Sequence, residues 1–458
     1  MHTVLAASTR LDLSLTQKLF VIDLCALTAF VSHLALAVFN DGVRPFMLDF
    51  IQGRAKRSAT TAVSFGLSAG FVFGLGAPMA LASGVLNPWL LFLPTDILGI
   101  LAPRAWIAPL LGGVWGAVVV FGLDGANDLA HDLPVDFLTA MQQMSTPILF
   151  LFTLFPVLAI TRQFGRPRGA FAAVLELALV IMTMKLWPKV FPGSLAMAAG
   201  VLLLIGFAVR KDLLQRKQER AQERRQPQGQ GKRLEQGQER EDTGDDPMVS
   251  LFSGSALRLR RHLPLFMVLG AGVCVLAQMH IFGGGEATSF LIAKGQYSEA
   301  AQVDFYWVFG FVPLIATTAL ASGAYGIAGF TLVYPLGYLL PDPFLAAVVG
   351  AVVLALEVLA LSFVGRVLGK LPSVRDSSEY LRAAITETLG LAILFGSLLA
   401  AQVMGGGLAI LVVGGLYLLN EAMGRPVVRM AAAPAAVVVG GVLLNLLHWL
   451  DLFTPLKS

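Results

Sequence analysis

Asp304 to Pro341 reads DFYWVFGFVPLIATTALASGAYGIAGFTLVYPLGYLLP, and this stretch limits the fold more than any other. It is apolar for more than thirty residues. A helix rising 1.5 Å per residue needs only about 20 residues to cross roughly 30 Å of hydrocarbon, so the stretch is too long for one simple crossing. Pro313 removes a backbone hydrogen bond, Thr317 and Thr318 follow one turn later, and Gly323, Gly326 and Gly329 loosen the chain beyond them. Backbone freed inside a bilayer is tolerated only where protein covers it or where it lines a cavity. The stretch therefore reads as two short or broken membrane segments meeting at a binding site, as in transporters built on interrupted helices.

Composition places the rest of the chain in the same solvent. Of 458 residues, 56% are hydrophobic and only 14% charged, too few to cover a water-facing surface. The chain is expected to be an all-α polytopic membrane protein. Its net charge of +4 reports topology, because Lys and Arg gather in loops between apolar runs; no nucleic-acid partner is implied. Cys25 and Cys274 are the only cysteines and lie in apolar segments, so they are expected to be free and packed. The first apolar run follows a long polar start and contains Asp23 and His33, which argues for a mature helix rather than a cleavable signal.

Hydropathy and basic loops together give 12–14 transmembrane segments in two halves, residues 1–210 and 258–458, joined by a charged linker at 211–257. The first helix is expected at about Thr16 to Phe39, ending near the basic segment of Arg44, Arg54, Lys56 and Arg57. Leu86 to Pro103 is short, and Pro94, Thr95 and Asp96 should split it. It is the first half's counterpart of the opening stretch. Other spans are expected near 59–85, 104–123, 137–161, 169–187, 194–209, 262–282, 344–364, 381–404, 407–423 and 434–450. Between Arg216 and Pro247 only Ala221 and Leu234 are apolar, so after a helical extension to about Arg225 a disordered cytoplasmic linker is expected. GGGEATSFLIAKGQYSEAAQ reads as an outer loop with an amphipathic piece. Seven segments per half would let the second half enter from the opposite face, as an inverted repeat requires. SFGLSAGF at 64–71 and GAYGIAGF at 323–330 are its sequence support, and the alternative is twelve spans with two re-entrant hairpins.

Polar groups at membrane depth are the candidates for function, since an ionised side chain there costs about 2.5–3.5 kcal/mol even on the lenient insertion scale. Asp96 is the foremost. Beside Thr95 and close to Pro94, its carboxylate could hold a proton or Na⁺ or meet a substrate donor, or the pair could simply cap a half-helix. Pro313, Thr317 and Thr318 are the matching set in the second half. Asn40, Asp41 and Arg44 with Pro45 parallel Asn420, Glu421 and Arg425 with Pro426; each set is either an inner gate or an Arg–carboxylate pair holding a helix end. Glu176, Glu357, Glu387, His33 and His448 stand alone within spans. No metal-ligand spacing, Walker A loop or HExxH is present, so no cofactor, metal or catalytic residue is assigned and no enzyme is expected.

FNDGVRP, LNPWLLFLPTDILG, GFVPLIATTALASGAYGIAGFTLVY and NEAMGRPVVRMAAAP closely resemble the YhfT family of bacterial inner-membrane proteins, described as transport proteins with no assigned substrate. The resemblance covers nearly the whole chain except the linker. It implies a multi-pass protein of the bacterial plasma membrane and carries no settled functional residues. The expected function is a secondary-type permease for a small polar or anionic solute, coupled to H⁺ or Na⁺, with its site between Pro94–Asp96 and Pro313–Thr318. The bilayer, the solute, a second copy or a cytoplasmic subunit are the expected partners. The alternatives are the membrane subunit of a phosphotransferase-like uptake system, a membrane-embedded enzyme, and a scaffold whose charged linker recruits a partner.

Overall fold

The computed structural model describes residues 13–40, 71–131, 133–188, 192–223, 247–305, 319–320 and 323–455, with isolated positions at 56, 61, 64, 65, 68 and 308. Described residues form helices and no strands. Five helices are long and apolar enough to cross a membrane, or six if one bent pair counts as a single span; 88–101, 107–123 and 330–339 are shorter apolar helices. Large apolar side chains such as Val114, Val118, Phe171, Val174, Phe344 and Leu411 face outward. Helices apolar on their outer faces have lipid as their solvent. This is an all-α, multi-pass membrane protein.

Helix α1 (Leu15–His33) opens with a reciprocal cap, in which Ser14 and Gln17 each accept the other's backbone N–H. It stops six residues short of the expected Phe39. LALAVFN holds no helix breaker, so the cause is tertiary: Ala35 turns to φ 53° and the chain unwinds to pair with a distant segment. Helix α2 (Ala77–Ser83) ends at Gly84, φ 67°, and α3 (Pro88–Leu101) starts from Asn87, whose side chain accepts the Leu90 N–H and donates to the Gly76 carbonyl. The interruption thus lies at 84–87, before α3. The expected split at Pro94 to Asp96 is absent, because α3 runs through Pro94 as one helix. The carbonyl that Pro94 cannot bond, that of Leu90, accepts the indole N–H of Trp115 at 3.0 Å. A side chain from the next helix repairs what proline removes.

That next helix is α4 (Ile107–His131), packed against α1 so tightly that a Cβ on Gly112 would lie 2.2 Å from the Cys25 carbonyl oxygen. Where one long span was expected at 137–161, the chain forms α5 (Phe137–Met141), a 3₁₀ turn, α6 (Ser145–Phe152) and α7 (Phe155–Phe164). Helices α8 (Arg166–Leu186) and α9 (Pro192–Glu223) complete the first half, and α9 carries the expected helical extension. The remaining linker residues 224–246 lie outside the described residues.

The second half opens with α10 (Pro247–Arg261) and α11 (Leu263–Gln278), bent by 68° where they meet. His280 takes φ 57°, the chain unwinds through Gly283, Gly284 and Gly285, and α12 (Glu286–Ala293) and α13 (297–305) follow. The expected outer loop is therefore a second interruption leading into buried helices, with Thr288 and Ser289 in the interior. After Gly323, φ 67°, a further unwound piece reaches a 3₁₀ turn (Ile327–Leu332) and α14 (Val333–Leu339). Helix α15 (Pro343–Lys370) packs on α11 with the same closeness as α4 on α1, a Cβ on Gly350 falling 2.3 Å from the Gly270 carbonyl oxygen. Helix α16 (Pro372–Ala422) contains two spans that meet at the non-helical pair Gly405 and Gly406, and α17 (Arg429–Trp449) closes the bundle.

Among the described residues three large buried cores result, with a small fourth cluster of Ala35, Val38, Ile100 and Ala324, and the large ones do not follow the halves. The largest joins Leu24, Leu91 and Val120 of the first half to Phe266, Tyr325 and Val358 of the second. A second holds Met79, Leu138 and Met144 with Ile393, Val413 and Val437. The third gathers Phe155, Ala172 and Met197 with Leu381.

Candidate functional site

Four unwound pieces meet inside the largest core, and they meet in pairs. Residues 34–40 lie parallel to 323–326: the Val38 N–H donates to the Tyr325 carbonyl at 2.8 Å, and the Tyr325 N–H to the Leu36 carbonyl at 2.8 Å. Residues 84–87 lie parallel to 279–285: the Gly283 N–H donates to the Leu86 carbonyl at 2.9 Å, and the Leu86 N–H to the Ile281 carbonyl at 2.8 Å. Each pair joins a piece of the first half to a piece of the second. The bonds house backbone that an apolar interior would otherwise leave unpaired, a penalty of about 1–3 kcal/mol per group.

The flanking contacts recur as well. His33 Nδ1 donates to the Gly99 carbonyl and His280 Nε2 to the Tyr338 carbonyl, each at 3.0 Å. Ala35 and His280 are non-glycine residues at positive φ, just past the ends of α1 and α11, where a left-handed conformation costs roughly 1–2 kcal/mol. Gly84 and Gly323 share φ 67° two residues before the bonded residues Leu86 and Tyr325; glycine alone takes that turn without strain.

A buried carboxylate clasps an interruption in each half. Asp96 Oδ2 accepts the N–H groups of Phe39 at 2.6 Å and Asn40 at 2.9 Å, and Oδ1 accepts the Ser32 hydroxyl at 2.6 Å. Asp304, on α13, accepts the Thr288 hydroxyl at 2.6 Å and the Tyr338 hydroxyl at 2.7 Å; Tyr338 in turn accepts the Gly284 N–H at 2.8 Å. Both aspartates are fully enclosed, and donors surround both. Asp96 accepts three donors and Asp304 two, which fixes the segments that supply them. Between the crossings lies a buried aromatic cluster, with Phe39, Phe282 and Phe330 all within 6 Å of Phe92 by ring centroid. The interior is closed at this point.

The candidate residues read from the sequence fall in several places. Asp96 and Asn40 come together at the first interruption, where Asn40 also donates to Ser68. Thr95 is buried but donates to the Phe92 carbonyl of its own helix, and Pro94 lies within that helix. Pro313, Thr317, Thr318, Asp41 and Arg44 lie outside the described residues. Asn420 exchanges hydrogen bonds with the backbone of Val427, while Glu421 accepts from Arg425 Nε and from Nε and Nη2 of Arg429, each at 2.9 Å. These residues close the turn between α16 and α17. Of the isolated groups, Glu387 pairs with Arg162 at an exposed position, and Glu176 is buried against Gly200 with no partner for either oxygen among the described residues. Glu357 accepts the Tyr325 hydroxyl, which attaches α15 to the first crossing.

Sequence reasoning missed Asp304 and the Gly283–Gly285 interruption. Their signal was present: three consecutive glycines before a short apolar helix, then a lone aspartate at the start of more than thirty apolar residues.

A family model described as YhfT, a protein of unknown function, matches residues 17–453. The chain belongs to the YhfT family. It is 39% identical over 451 residues to the uncharacterized protein YhfT of Escherichia coli (strain K12), covering 96% of this chain and 99% of that protein. No solved structure matches the chain. The match to the family spans both interruptions of each half, so the crossings belong to the part of the chain that the YhfT family shares.

Proposed function

We propose that this protein is a secondary transporter of the bacterial inner membrane for a small polar or anionic solute, with the stretch 224–246 on the cytoplasmic side. The observation that carries the reading is the crosswise pairing of four interrupted segments inside an apolar bundle, each half adding one clasped aspartate. Interruptions at membrane depth free backbone amides and carbonyls from helical bonding, and such groups are what transporters build midplane sites from. A purely structural helix bundle has no need of them.

On this reading the two halves are related by an internal two-fold. The correspondence sets Ala37 against Phe282 and Leu86 against Tyr325, in place of the 64–71 and 323–330 similarity expected from sequence. The solute binds beside the crossing of 34–40 with 323–326. Pro313, Thr317 and Thr318 precede that crossing in the chain, and Asp96 holds its geometry. The closed aromatic centre is one end state, and access alternates as the crossing core moves against the flanking helices. Coupling to H⁺ or Na⁺ requires a group less fully engaged than Asp96.

A ligand screen on purified protein tests this. A solute that binds only the folded form at a hundred times its Kd stabilises it by about 2.7 kcal/mol, readable as a raised melting temperature. The reading predicts that small hydrophilic solutes stabilise the protein. Stabilisation by lipid-linked substrates alone would point to an enzyme instead.

A further inference from the structure

Helix α10 leads from the charged stretch into the second half and ends in Arg258, Arg260 and Arg261. Arg260 and Arg261 face outward, whereas Arg258 is half-buried and reaches the first crossing. Its Nη2 donates to the Leu34 carbonyl at 2.9 Å, where α1 ends and the interruption begins. Its Nη1 lies on the partner segment: a Cβ on Gly323 would sit 3.6 Å from it and 3.3 Å from Ser255 Oγ. One guanidinium thus bonds one segment and lies beside the other at the start of their parallel pairing.

That guanidinium has no ion-pair partner among the described residues. Among the described residues the ion pairs join Arg162 to Glu387 and Arg425 and Arg429 to Glu421, and none includes Arg258. Glu357, on the helix packed against α10, bonds Tyr325 and makes no ion pair with Arg258. A guanidinium carries five N–H donors, and the Leu34 carbonyl takes one. A half-buried cation with donors to spare is costly unless an anion completes it. The plain alternative is a cap on the C-terminal end of α1. It accounts for the Leu34 bond and leaves the placing of Arg258 and Ser255 side by side against Gly323 unexplained.

We propose that Arg258, with Ser255, binds the anionic group of the solute, a carboxylate, phosphate or sulfate, at the crossing of 34–40 with 323–326. The assignment rests on the transport reading and narrows its substrate class.

The test measures melting temperature of the full-length protein in uncharged detergent, with inorganic phosphate, sulfate and short carboxylates added against chloride of equal ionic strength. At least one anion should raise the wild-type melting temperature. Arg258→Gln removes the charge and is two atoms shorter, so each anion response is read against that variant's own anion-free melting temperature, and its apparent anion affinity should fall about tenfold or more. Arg258→Lys should retain part of the response. Should Arg258→Gln fold poorly, phenylglyoxal modification of Arg258 in the wild type gives the same test, and the stabilising anion should slow it. An equal anion response in Arg258→Gln overturns the assignment, as does a lowered anion-free melting temperature with the anion increment intact, which is the signature of a cap. Stabilisation by phosphatidylglycerol but by no soluble anion assigns the residue to lipid headgroups and also overturns it. If no anion acts on the wild type the assignment fails, and a neutral solute that still stabilises would leave the transport reading standing.

Discussion

At the residue scale, Asp96 shows how a polar group at membrane depth is accommodated. Its carboxylate accepts two backbone N–H groups and one hydroxyl, all within 2.9 Å, so its charge is shared among donors. Asp96→Ala should strand those donors and lower stability by on the order of 3 kcal/mol, and Asp96→Asn should cost less because one oxygen still accepts. Thermal melting in detergent checks the order, and an unchanged Asp96→Ala melt would remove the clasp. Asp96 was legible in the sequence because a lone aspartate in an apolar run needs a partner. What it binds was not, since Ser32, Phe39 and Asn40 are more than fifty residues away. Asp304 was overlooked for the same reason: its partners Thr288 and Tyr338 stand on either side of a stretch that reads as one apolar block.

At the element scale, local breaker rules misplaced the interruptions. Pro94 reads as a breaker, yet Trp115 supplies the donor that keeps α3 whole. The two residues should therefore be coupled. Trp115→Phe should cost about 1 kcal/mol or more by orphaning the Leu90 carbonyl. In a Pro94→Ala background it should cost less, because the restored amide at position 94 takes that carbonyl, and a double-mutant cycle measures the difference. Conversely, residues 34–40 read as helix and unwind, because pairing with Tyr325 outweighs local preference. Helix contacts give a second prediction. Gly112→Ala drives a Cβ to 2.2 Å from the Cys25 carbonyl oxygen and should cost about 1–3 kcal/mol by separating α4 from α1. Gly122→Ala, on the same helix with nothing within 4 Å, should be neutral or stabilise by up to about 1 kcal/mol. Equal melting temperatures for the two variants would deny the close packing.

At the scale of the whole molecule, composition was sufficient for class: a chain with this little charge is a helical membrane protein. The division into halves follows from the charged stretch between them, but packing does not respect that division. The largest core takes residues from both halves, and the other two gather the helices that flank it. Periodicity cannot reveal such an arrangement, because it depends on segments far apart in the sequence, Ala37 with Tyr325 and Leu86 with Phe282, pairing as short parallel pieces. A shared core set against flanking helices is also the partition that alternating access needs, one body moving against another. The measurement that bears most directly on the transport reading is uptake by proteoliposomes of the compound that most raises the melting temperature of the purified protein. Saturable, protein-dependent appearance of that compound inside the vesicles, chemically unaltered, is the predicted result. Internal levels no higher than in protein-free vesicles, or a compound recovered only in altered form, would contradict it.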